Sequence, residues 1–298
     1  MRIIDAHHHL WDLERLHYPW LSNPIEHIAG DYASIRRSYR IADFLRDAQG
    51  QDLVRSVHVQ AELDHSDDPV KETAWLQAAA DDPGSGGFPH GIVAYADLSK
   101  EDVEDVLQRH LEHPNLRGIR QILNHGPDPK HHFVDRGDLM EDTRWRAGFA
   151  LLEQHGLSFD LQVWPWQMQD AAALAAMFPG IQLILNHTGM PINREYEGLE
   201  VWRCGMQARA AARNVAVKIS GLGMFDHHWT VVSIRPLVLE TIETFGTDRC
   251  MFASNFPLDR LMTSYDAIWC AFDEITTSFS DDERRAMFHD NAARYYRL

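Results

Sequence analysis

The chain has 298 residues, a hydrophobic fraction of 45% and a formal net charge of −16, so it can fill a large core while repelling phosphate backbones and anionic surfaces. Nucleic acid and membrane are therefore poor partners, and the apolar runs are too short and punctuated to cross a bilayer. Cys204, Cys250 and Cys270 lack CxxC spacing, which argues against a disulfide framework and a cysteine zinc site and points to a reducing cytoplasm.

In chain order, strands are predicted over Arg2–His7, Leu53–Ala61, Gly91–Leu98 and Leu116–Leu123. Four more follow at Leu157–Val163, Ile181–His187, Asn214–Ser220 and Arg249–Asn255. The first strand begins at once, with no signal peptide ahead of it. Helical patterns lie between the strands, at Ile41–Gln49, Val70–Ala80, Glu101–His110, Thr143–His155, Gln167–Met177, Leu199–Arg213, Val231–Phe245 and Leu261–Thr277. Gly50, Gly156 and Gly246 stand where helices should stop. Strict β/α alternation over this length predicts one domain, 1–298, folded as a (β/α)8 TIM barrel. An open doubly wound sheet is disfavoured, because no glycine-rich fingerprint follows the first strand.

Side chains alternate along a strand, so residues two apart share a face. This groups Asp5, His7 and His9, then Ile181, Leu183, Leu185 and His187, and then Met251, Ala253 and Asn255. In the fifth strand Phe159, Leu161 and Val163 would pack on helices, leaving Asp160, Gln162 and Trp164 inward. By the same rule His58 and Gln60 oppose Val57 and Val59, and Lys218 and Ser220 oppose Val217 and Ile219. Polar residues near the C-terminal ends of barrel strands mark an active-site mouth.

Asp5-Ala6-His7-His8-His9 resembles the D-x-H-x-H first strand of the amidohydrolase superfamily. Leu185-Asn186-His187-Thr188-Gly189-Met190-Pro191 resembles the L-D-H-x-G-K-P segment of its lactonase-like branch. Met251-Phe252-Ala253-Ser254-Asn255-Phe256-Pro257 is similar to that branch's M-F-G-S-D-W-P, and Asn291-Ala292-Ala293-Arg294-Tyr295-Tyr296 to its C-terminal N-A-x-x-x-Y. The resemblance spans Asp5 to Leu298 and implies a metallo-dependent-hydrolase barrel. That branch includes sugar-acid lactonases and a 2-pyrone-4,6-dicarboxylate hydrolase.

Carried over by position, the resemblance makes His7, His9 and His187 the catalytic cluster and the candidate ligands of one divalent metal, zinc first. A metal-independent route, with the imidazoles on the carbonyl directly, stands beside it. Asn255 occupies the place where the superfamily has aspartate, and Gln162 stands where metal-binding relatives have histidine. An amide is not a base, so another must be found: a metal-bound hydroxide, Asp226, His227 or His228, or Asp259. Arg120, Gln60, Gln162, Lys218 and Trp20 are the candidate substrate-binding residues, Arg120 for a carboxylate or carbonyl oxygen. His8 is read as structural and His58 as a buried, hydrogen-bonded histidine.

The expected function is hydrolysis of a small cyclic ester, its substrate anionic or sugar-derived. A metal-dependent decarboxylase and a non-catalytic ligand-binding barrel are the rivals, and self-association is left open.

Overall fold

Short β-branched and apolar runs pair in chain order in the computed structural model, which describes residues 1–298. The eight strands are β1 (Ile3–His8), β2 (Leu53–Val59), β3 (Gly91–Ala94), β4 (Leu116–Ile119), β5 (Ser158–Leu161), β6 (Leu183–Leu185), β7 (Val215–Ile219) and β8 (Cys250–Phe252). Each pairs in parallel with the next. The seam between β8 and β1 is drawn together beyond the end of β8. Asn255 N donates to His7 O over 2.8 Å and His9 N donates to Phe256 O over 2.7 Å. The result is the nearly closed (β/α)8 barrel that the alternation predicts.

Helices fill the connections, and local chemistry sets their ends. The helix Val231–Phe245 starts at a capping box in which Thr230 and Ser233 satisfy each other's backbone N–H. It stops at Gly246, whose φ of 82° suits glycine. No helix is long and apolar enough to cross a membrane. All three cysteines are free.

Two apolar cores result. Sixty buried residues fill the layer between sheet and helices, among them Phe159, Leu161, Val163, Val217 and Ile219. A smaller cluster fills the barrel itself with Ile4, Ala6, Val57, Val59, Val93, Ile184, Ala216, Met251 and Ala253. Tyr296, from the C-terminal helix, plugs the barrel floor. The lower barrel is thus packed with small apolar groups, and polar residues occupy the layers above.

Three alternation patterns change in the structure. In β1, Asp5 pairs with Ser56 and His8 with His58, so three steps of β1 match two of β2. That one-residue bulge brings Ala6 and His7 both inward and turns Asp5 out. Asp5 accepts from Ser254 N, Ser254 Oγ and Tyr265 OH at 3.0, 2.5 and 3.1 Å, holding the seam. Burial raises its carboxyl to about 6.

In β2, Val57 and Val59 fill the barrel while His58 faces outward, its Nδ1 accepting from Leu10 N over 3.1 Å. In β6, Ile184 faces inward, and Leu183 and Leu185 pack on helices. His187 lies beyond the strand.

Candidate active site

The mouth is assembled from residues at which the backbone leaves regular geometry. His187, Thr188, Gly189 and Met190 have φ of 54°, 56°, 68° and 54°, and Asn255 has 57°. For non-glycine residues such conformations cost of order 1–3 kcal/mol each and persist only where the surroundings impose them. They swing His187 back over the barrel, against Gly221. A Cβ built on Gly221 would lie 2.8 Å from His187 Nδ1, and its φ of 63° is itself left-handed. Glycine is needed there for both reasons.

Three imidazoles meet. His7 Nε2 lies 3.2 Å from His9 Nε2, and the ring centroids of His7 and His187 are 4.5 Å apart. His9 Nδ1 is 2.7 Å from Val59 O, and His187 Nδ1 is 3.1 Å from Ser220 Oγ. Beneath them Lys218 Nζ sits 3.3 Å from His7 Nδ1. Lys218 forms a fully buried ion pair with Asp160. Asp160 also accepts from Tyr296 OH at 3.0 and 3.1 Å.

These contacts order the protons. Burial pulls Lys218 down to about 8, with Asp160 opposing, so at neutral pH it is mostly an ammonium and a pure donor. It donates to His7 Nδ1. The His7 proton must then lie on Nε2, aimed at the lone pair of His9 Nε2, while His9 Nδ1–H donates to Val59 O. This tautomer assignment satisfies every group of the relay from Lys218 through His7 and His9 to Val59 O.

Burial holds all three rings well below the usual imidazole value of 6.5, with His9 at about 3. Neighbouring Lys218 adds to the effect on His7, and Arg120 to that on His9 and His187. They are neutral near pH 7. His187 Nε2 makes no hydrogen bond within the protein, so it is the free basic nitrogen.

The same tautomers test the metal reading. A separation of 3.2 Å is also about that of two nitrogens on a tetrahedral zinc. A ligating histidine, however, gives its other N–H to an acceptor. His9 and His187 have such acceptors; His7 has Lys218 Nζ at its Nδ1. Two imidazoles fit a metal as they stand, and His7 joins them only with Lys218 as the neutral amine.

Arg120 enters from the end of β4, 3% exposed. It donates to Gln162 Oε1 over 3.1 Å and to Gln60 O over 2.6 Å. Its Nε has no partner, and no carboxylate lies within ion-pair distance. Asp160, the nearest inward acid of β5, is paired with Lys218 instead.

The other candidates take different places. Gln162 orients Arg120. Gln60 folds its side chain onto Glu62, accepting from Glu62 N over 2.6 Å. Trp20 packs at ring-centroid distances of 5.5 Å from both Trp11 and His27, its Nε1 donating to Ala61 O over 2.9 Å. Lys218 is wholly buried and touches His7 from below. Asp226 is paired with Arg194 at 3.3 Å, and His227 and His228 are exposed. His8 stacks on Phe44 at 4.0 Å.

Asn255 donates to Asp259 Oδ1 over 2.8 Å, and its own Oδ1 is buried without a donor. From the sequence, Asp259 is one candidate base among several. Its four-residue spacing from Asn255 was the available signal.

The sequence pattern of the amidohydrolase family matches residues 4–298 of this barrel: the chain belongs to that family. An uncharacterized protein of Sinorhizobium fredii, y4mH, is 51% identical over 99% of this chain and 98% of its own length. An L-fucono-1,5-lactonase of Burkholderia multivorans is 28% identical over 99% of this chain and 96% of its own. A crystal structure of an amidohydrolase from Burkholderia multivorans with bound zinc has a TM-score of 0.84, with 26% identity and full coverage of both chains.

Proposed function

We propose that the protein hydrolyses the ring ester of a small sugar-acid lactone. The observation that carries this reading is Arg120, a buried guanidinium with donors to spare and no carboxylate within ion-pair distance, Glu62, Asp160 and Glu72 acting on it only from farther away. A buried cation with no carboxylate in contact is costly, and ester hydrolysis develops an oxyanion that would pair with it. The similarity to an L-fucono-1,5-lactonase supports a sugar-derived ring.

The reaction needs no metal-bound step. Neutral His187 takes a proton from water at Nε2, and its Nδ1 is steadied by Ser220 Oγ. Hydroxide adds to the carbonyl carbon as negative charge gathers on the carbonyl oxygen, facing Arg120. As the tetrahedral intermediate collapses, the ring C–O bond breaks and the imidazolium returns its proton to the leaving alkoxide. The product is the open hydroxy acid, held by Arg120 until release.

The test is a panel of aldonolactones, L-fucono-1,5-lactone included, followed by acid release in weak buffer and by NMR of the product. Expected is a ring-opened acid with no carbon dioxide, in chelator-treated protein as in untreated. Carbon dioxide release from an aromatic acid, or an absolute need for added metal, would overturn the reading.

A further inference from the structure

Among the buried acids that the proposed reaction does not use, Asp259 has the fewest partners. Asp259 is 4% exposed, and its carboxylate makes a single hydrogen bond, to Asn255 Nδ2. Its surroundings are mostly apolar and include Leu222, Trp229, Ile234 and Phe272. Burial in such a place raises the carboxyl to about 7, so the arrangement is costly to the fold. A turn-capping aspartate would accept backbone N–H groups. Asp259 accepts none.

The backbone explains the pairing. Asp259 N donates to Asn255 O over 3.2 Å, closing one turn that brings side chains four residues apart together. Ionised, as it is above about pH 7, Asp259 can only accept, so Asn255 then presents its NH2 to it and turns its oxygen the other way. No donor of the protein reaches that oxygen, and the Nδ1 of neighbouring His9 is engaged with Val59 O over 2.7 Å. Asn255 Oδ1 is therefore an orphaned acceptor at the mouth.

We propose that Asp259 is the positioning residue of this site: it locks the Asn255 amide with Oδ1 turned into the mouth, where that oxygen takes the hydrogen bond of the attacking water. The inference rests on the hydrolytic reading. It assigns Asn255 as the group that aims the water and His187 as the group that deprotonates it. The carboxylate that the superfamily pattern places at 255 stands four residues later and acts through the amide.

The experiment compares wild type, Asp259→Asn and the exchanged pair Asn255→Asp with Asp259→Asn. An amide facing an amide no longer fixes which end of Asn255 enters the mouth. Expected is a fall in kcat of about ten-fold or more in Asp259→Asn, with KM changed by less than about three-fold. The exchanged pair should recover kcat, since it keeps one carboxylate and one amide in contact and puts the carboxylate at 255.

A readout independent of turnover accompanies it. In protein labelled with nitrogen-15 at asparagine, the Asn255 side-chain NH2 should give a downfield, slowly exchanging pair that disappears in Asp259→Asn. Should Asp259→Asn fail to fold, the exchanged pair against wild type carries the comparison. An unchanged kcat and amide signal in Asp259→Asn, or an exchanged pair with no recovery, would overturn the proposal. If wild type turns over no lactone, the hydrolytic reading fails, whereas the amide signal still reports on the lock.

Discussion

Lys218 Nζ lies 3.3 Å from His7 Nδ1 at the floor of the site, and the same amine is paired with Asp160 out of reach of water. One buried ion pair thereby decides which nitrogen of His7 carries its proton. The network is also a structural commitment, because Tyr296 from the end of the chain closes on Asp160.

Removing one member should expose that commitment. Lys218→Met leaves Asp160 charged and buried with only the Tyr296 hydroxyl, and is expected to cost about 3–5 kcal/mol of unfolding free energy. Adding Asp160→Leu should return much of it. Urea denaturation of the two variants beside wild type measures both, and a Lys218→Met protein as stable as wild type would refute the coupling.

Arg120→Met should lower kcat/KM for a turned-over lactone by about 10²–10³, the usual cost of losing one preorganised oxyanion donor. Arg120→Lys should restore little, because two bonds, to Gln162 Oε1 and Gln60 O, aim a planar fork that an ammonium cannot reproduce. Steady-state kinetics decide the point.

Gly221→Ala places a methyl group 2.8 Å from His187 Nδ1 and 2.6 Å from Met224 Cε, at a φ of 63°. The expected outcome is a loss of about 1–3 kcal/mol in stability together with a fall in kcat. A crystal structure of the variant should show the His187 ring displaced from Ser220.

The pH profiles of rate and stability should differ in sign. His187 has its pKa depressed, so its neutral form persists well below pH 6.5. The fall in rate below about pH 7 comes from protonation of Asp259, which releases the Asn255 amide. Asp259 has its pKa raised from 3.8 to about 7. Its contribution to stability is therefore fully present below the unfolded value and is lost as pH rises through the folded one. Relative to wild type, Asp259→Asn should gain stability between pH 5 and pH 8, by an amount of order a few kcal/mol. Thermal melts of both proteins across that range test it, and parallel curves would count against it.

What the amino-acid order determined by itself was the alternation of β and α, the eight-fold count and the histidines of the mouth. These depend on side-chain polarity and turn chemistry, which are local. Period-two reading placed Asp160, Gln162 and Lys218 inward because β5 and β7 run without a bulge. It misplaced Asp5 and His58, where a one-residue bulge in β1 and the packing of Val57 and Val59 decide the facing. The left-handed turn that delivers His187, the ammonium under His7 and the Asp259 lock on Asn255 belong to the tertiary structure alone. Each is a relation between backbone dihedrals or distant side chains, and polarity along one strand carries no record of either.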